Sequence, residues 1–86
     1  MQVTFSSNFD KKIKKIPIKI VDKFFERLEL FKNDRFNVLL KNHKLHGEYN
    51  GFNSINITAN FRAVFKYIDE EKIIFYDIGT HSELYE

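Results

Sequence analysis

Three residues in the second half of the chain have side chains suited to breaking a phosphodiester bond: His43, Arg62 and His81. An arginine presents a fixed fork of donors that grips a phosphate on two oxygens and stabilises the charge that builds up as the bond breaks. A histidine gains or loses a proton near neutral pH. With one imidazole taking the proton of a ribose 2′-hydroxyl and another returning one to the 5′-oxygen, each contributing roughly 10²–10⁴-fold, RNA cleavage needs nothing further. On residue type alone each also has an ordinary reading. Arg62 fits a solvated strand position, and a loop histidine is more often structural than catalytic. His43 and His46 share an H-x-x-H spacing, but no third histidine lies nearby and the chain has no cysteine, so no metal is expected. The tyrosines and phenylalanines are expected mainly in the core, with Tyr49, Phe61 and Tyr85 the ones placed to stack on a base.

Positioning those three residues requires a particular order of elements. Gln2 to Ser6 alternates Val3 and Phe5 with polar residues, as a short strand does. Ser7 is placed to cap a helix, with Asp10 three residues on. Phe9, Ile13 and Ile16 form a narrow apolar stripe among Lys11, Lys12, Lys14 and Lys15. Pro17 ends this helix and opens a second, in which Ile20, Val21, Phe24, Phe25, Leu28 and Phe31 recur at helical spacing to about Lys32. After residue 50 the period becomes two. Asn53 to Thr58, Phe61 to Ile68 and Ile73 to Ile78 read as three successive antiparallel strands, the last two joined by Asp69-Glu70-Glu71-Lys72. Between helices and strands, residues 42–51 have no period and mark irregular backbone. The expected class is α+β: an N-terminal strand and a two-helix hairpin packed on one face of a small antiparallel sheet, all in one domain of residues 1–86. Phe61, Ala63, Phe65 and Tyr67 then face the helices. Arg62 faces the other way, beside Ser54, Asn56 and Thr58, on an open side that His43 and His81 can reach.

Composition narrows the class of protein. A hydrophobic share of 43% with ten Phe excludes disorder. The absence of cysteine gives no sign of an oxidising compartment, and neither a signal sequence nor a membrane span is legible, so the cytoplasm is expected. The net charge of +2 hides an asymmetry. Through Lys44 there are eleven Lys and Arg against five Asp and Glu, a charge of +6; the remainder carries −4. A basic face can hold phosphates or an acidic protein partner.

Four elements taken in order are more specific than any single residue. His43-Lys44-Leu45-His46-Gly47, Gly51-Phe52, Phe61-Arg62-Ala63-Val64-Phe65-Lys66 and Gly79-Thr80-His81-Ser82-Glu83-Leu84-Tyr85 resemble the YafQ-like branch of the RelE/ParE superfamily of toxins, over about half the chain. The resemblance implies a RelE-like microbial RNase fold and the toxin of a type II toxin–antitoxin pair. It also implies cofactor-free and metal-free cleavage of mRNA on the ribosome, and neutralisation by a cognate antitoxin through which alone operator DNA is met. By position it implies catalytic roles for His43, Arg62 and His81, with Lys44, Asn56, Asn60, Phe61 and Tyr85 near the substrate. At Asn56 and Asn60 the family pattern has His and Asp, and an asparagine cannot exchange protons near pH 7. The alternatives are a ParE-like inhibitor of DNA gyrase and a catalytically degenerate module that binds antitoxin and DNA.

Overall fold

The phenylalanines decide the architecture. Phe5, Phe9, Phe24 and Phe75 form one ring cluster and Phe31 and Phe65 a second that joins it, with neighbouring ring centroids 5.1 to 6.4 Å apart. Burying one such ring is worth about 1.5–3 kcal/mol relative to leaving it in water. A computed structural model describes residues 1–85. The elements in chain order are β1 (Gln2–Phe5), α1 (Ser7–Ile13), α2 (Ile18–Asn33), β2 (His43–Lys44), a single 3₁₀ turn (Gly47–Tyr49), β3 (Asn53–Asn56), β4 (Phe61–Asp69), β5 (Lys72–Thr80) and α3 (His81–Tyr85). The strands form one sheet in the order β1-β5-β4-β3-β2. The helix pair covers one face of it, as expected, and the class is α+β. No helix among the described residues is long and apolar enough to cross a membrane.

Several details differ from the sequence expectation. The sheet is mixed, because β1 runs parallel to β5 with Val3 opposite Ile73 and Phe5 opposite Phe75. Alternation in Gln2 to Ser6 marks a strand but says nothing about its partner. Ser6, not Ser7, caps α1: its hydroxyl accepts the Phe9 N–H at 3.0 Å while its main-chain carbonyl takes the Asp10 N–H. Pro17 does open α2. Phe25, expected on the apolar stripe, is 46% exposed, with its ring edge-on against Phe24. The segment without period contains a two-residue strand, β2, too short for alternation to reveal. The β4–β5 hairpin is longer and tighter than the apolar runs suggest, with only Glu70 and Glu71 outside the strands.

The face away from the helices is only partly open. A second, smaller cluster of Leu45, Val64 and Leu84, flanked by Tyr49, Phe52 and Tyr85, lies over its middle. Val64 points out of the sheet there and is fully buried, so it must be roofed, and the 45–52 loop and α3 supply the cover.

Candidate active site

Strand register places the polar residues of the second face. Arg62 lies opposite Asn56 on β3 and Gly79 on β5, and His43 opposite Ser54, so His43, Ser54, Asn56 and Arg62 share that face. From strand spacing and rise, the Cα atoms of His43 and Arg62 are roughly 10–12 Å apart, a span that two side chains can close around one phosphate. His81 arrives at the same end of β4 by another route. It follows directly from β5, its main-chain N–H donates to the Asn60 carbonyl at 2.9 Å, and its ring lies edge-on to Tyr85 with centroids 4.8 Å apart. The ring of His81 is exposed and has no hydrogen bond among the described residues.

Arg62 does not stand freely on an open face. Its Nη1 donates to the carbonyls of Thr58, Ala59 and Phe61 at 3.0 to 3.1 Å, clamping the turn between β3 and β4. The other guanidinium nitrogens have no protein partner among the described residues. One edge of the fork therefore holds the turn and the other remains for an anion.

His43 is exposed, and its Nδ1 lies 2.6 Å from the main-chain carbonyl oxygen of Lys41. Lys41 itself has φ +48°, a left-handed conformation that costs about 1–2 kcal/mol outside glycine.

The five expected substrate contacts divide. Asn56 is half-buried beside Arg62. Asn60 is exposed in the turn and its carbonyl anchors His81. Phe61 faces the helices and packs against the main core, away from Arg62. Lys44, opposite Asn53, faces the helix side, where it lines a cleft of about 530 Å³ with Arg35, Phe36 and Tyr67; His43, on the edge strand, reaches this cleft as well. Tyr85 is near His81, but its hydroxyl donates to Ser54 Oγ at 2.8 Å. Ser54 is fully buried and belongs to the second core.

Several residues that hold the site are not apparent from the sequence. Asp77 is 5% exposed; its carboxylate accepts from Lys12 Nζ at 2.6 Å, the Tyr49 hydroxyl at 2.9 Å and the Ile78 N–H. Lys12, which looks like part of a solvated lysine run, is thus the counterion of a buried carboxylate. Burial, and then the Asp77 carboxylate that takes its hydrogen bond, push the Tyr49 phenol above its ordinary range. Tyr49 packs edge-on against Tyr85, so this network reaches the helix that carries His81. A lone acid inside the apolar run Ile73 to Ile78 was the available signal. α3 also had a readable start, since Thr80 and Glu83 form a capping box. The Thr80 N–H donates to Glu83 Oε1 at 2.8 Å and the Glu83 N–H to Thr80 Oγ1 at 3.2 Å. The Thr80 main-chain N–H, and then the Thr80 hydroxyl, both hydrogen-bonding to its carboxylate, hold the Glu83 carboxyl below its ordinary range.

Histidines 43 and 46 gain no further ligand: among the described residues no three His, Cys, Asp or Glu side chains converge as a metal site.

The sequence model of the family described as "Bacterial toxin of type II toxin-antitoxin system, YafQ" matches residues 1–86. No curated protein sequence matches the chain. Solved structures do. YafQ from E. coli strain BL21(DE3) superposes with a TM-score of 0.83 at 18% identity, over 99% of this chain and 98% of that one. The YoeB/ParE toxin from Agrobacterium tumefaciens gives 0.75 at 20% identity, over 94% and 99%. The RelB-RelE antitoxin-toxin complex from Methanococcus jannaschii gives 0.72 at 23%, over 95% and 94%. At such identities the structural likeness establishes the fold, and the family follows from the match along the whole sequence: the chain belongs to the YafQ family of bacterial type II toxin–antitoxin toxins.

Proposed function

We propose that this toxin is an endoribonuclease that cleaves mRNA, acting on the ribosome and neutralised by a cognate antitoxin. The observation that carries the reading is the meeting of two separate chain segments at one end of β4. The Asn60 carbonyl ties the main chain at His81 to the turn that Arg62 clamps, so the segments that carry an imidazole and a guanidinium adjoin, and Arg62 shares its face of the sheet with His43. One histidine accepts the 2′-hydroxyl proton. The 2′-oxygen attacks phosphorus, the bond to the 5′-oxygen breaks, and the second histidine protonates that oxygen, leaving a 2′,3′-cyclic phosphate and a 5′-hydroxyl. The unpaired edge of Arg62 holds the phosphate through the transition state. Asn56 hydrogen-bonds phosphate or base without moving a proton. Exposed Lys11, Lys14, Lys15 and Lys19 offer the RNA backbone a basic surface. The antitoxin reading is supported by the solved E. coli DinJ-YafQ complex, whose toxin matches over 99% of this chain.

A non-catalytic binding module is the second reading, favoured by Asn56 and Asn60 and by the Arg62 nitrogen committed to the turn. Primer-extension mapping of cellular mRNA after induced expression separates the two, with His81→Ala beside the wild type. Cleavage within translated codons that falls by roughly 10²–10⁴-fold in the variant, while its thermal melt is unchanged, supports the ribonuclease. Growth arrest with intact transcripts points to gyrase, and no arrest to the binding module.

A further inference from the structure

Lys41 is the one non-glycine residue with positive φ among the described residues, and neither of the usual reasons for that conformation applies to a lysine. Its neighbours enforce it. Leu40 is fully buried and its carbonyl accepts the Asn56 N–H at 2.7 Å. On the other side Asn42 is held through its side chain, donating to the Arg35 carbonyl and the Tyr67 hydroxyl and accepting from Asn53, and His43 and Lys44 are paired to β3. Lys41 spans two fixed points and takes up the strain between them. Strain of this kind persists where the surroundings over-determine it, and it gathers at functional sites. Here it aims a main-chain carbonyl at His43 Nδ1, 2.6 Å away. A carbonyl oxygen only accepts, so in the neutral ring Nδ1 carries the hydrogen. The lone pair is then on Nε2, across the ring from Lys41.

We propose that Lys41 is a positioning residue whose left-handed backbone fixes His43 as the proton acceptor of RNA cleavage and leaves His81 as the proton donor. The proposal rests on the ribonuclease reading and assigns its two histidines. His43 Nε2 takes the 2′-hydroxyl proton, and His81 gives its proton to the departing 5′-oxygen. Exchange with water then returns the two rings to their starting states. The ring of His81 suits the second role, since it has no fixed acceptor among the described residues.

The test joins a spectroscopic readout that needs no RNA to a kinetic one. In ¹⁵N NMR of the purified protein, at a pH where the ring is neutral, His43 is expected in the Nδ1–H form, the reverse of what free histidine favours in water. Lys41→Pro, whose φ is locked near −65°, is expected to lose that form and to lower kcat by roughly 10²-fold with little change in KM. Lys41→Gly, which adopts positive φ without strain, is expected to recover both. Should the proline variant fail to fold, His43→Asn serves instead: it can still donate to the Lys41 carbonyl but has no nitrogen lone pair, and cleavage should fall as far. An Nε2–H form in the wild type overturns the proposal whatever the kinetics. So does an Nδ1–H form with cleavage retained in His43→Asn. A wild type that shows the Nδ1–H form yet cleaves no RNA identifies the ribonuclease reading as what failed, and takes the proton-acceptor role with it.

Discussion

The two faces of the sheet are built on different physics. On the helix side Phe9, Phe24, Phe31, Phe65 and Phe75 are all but inaccessible to water and pack in one apolar cluster. On the other side Leu45, Val64 and Leu84 make a small cluster threaded with polar groups: Ser54 under the Tyr85 hydroxyl, and Asp77 between Lys12 and Tyr49. Apolar packing is strong but non-directional, whereas hydrogen bonds add less stability and specify where an atom sits. The difference teaches a division of labour. The helix face supplies most of the stability, and the other face holds Arg62, His43 and His81 in place.

The largest test of that division is Phe24→Ala. It should cost about 3–5 kcal/mol, read as a fall in the urea midpoint, because the ring contacts Phe5, Phe9 and Phe75 together. A cost below about 1 kcal/mol would mean the helix face is not the main source of stability. Next is Tyr49→Phe, which leaves Asp77 without one donor and should cost about 1–3 kcal/mol at neutral pH. The phenol is raised in the folded state, so its contribution is complete below the ordinary tyrosine pKa of about 10 and is lost as pH rises above that value. The gap in melting temperature between wild type and variant should therefore narrow in alkali. A gap that widens there would contradict the assigned network. The smallest effect is expected from Thr80→Ala, which removes half of the capping box and should loosen α3 by about 1 kcal/mol, seen as faster amide exchange at Leu84. Because the Glu83 carboxyl is lowered in the fold, the contact belongs to pH above the ordinary carboxylate range and fades as pH falls through it. Exchange at Leu84 in the wild type should approach that of the variant in acid.

How much was legible follows the same division. Helical spacing from Ile20 to Phe31 and alternation in β3 and β4 found the helix face, because burial writes a period into the sequence. Alternation also put Arg62 and Asn56 on one face, which register bears out. It could not show that the face was partly roofed, since the roof comes from a loop without period and from a five-residue helix. Asp77 could be seen as an anomaly, but its partner Lys12 lies 65 positions earlier on an element whose lysines look alike. The strain at Lys41 left no trace, because nothing in Leu40-Lys41-Asn42 requires positive φ; the constraint comes from what its neighbours bind.

The pairing of β1 with β5 has a kinetic side. Phe5 lies opposite Phe75, 70 positions later, so β1 must wait for β5 to be made before its ladder can form. Until then Phe5, Phe9 and Phe24 have no Phe75 to close against, and α1 and α2 are joined to an unfinished core. Contacts between such distant positions slow folding. A translating ribosome therefore carries a chain whose Arg62 has been made but whose α3, with His81, and β1–β5 ladder are not yet assembled, and the molecule acquires its candidate site and its stability in the same late step.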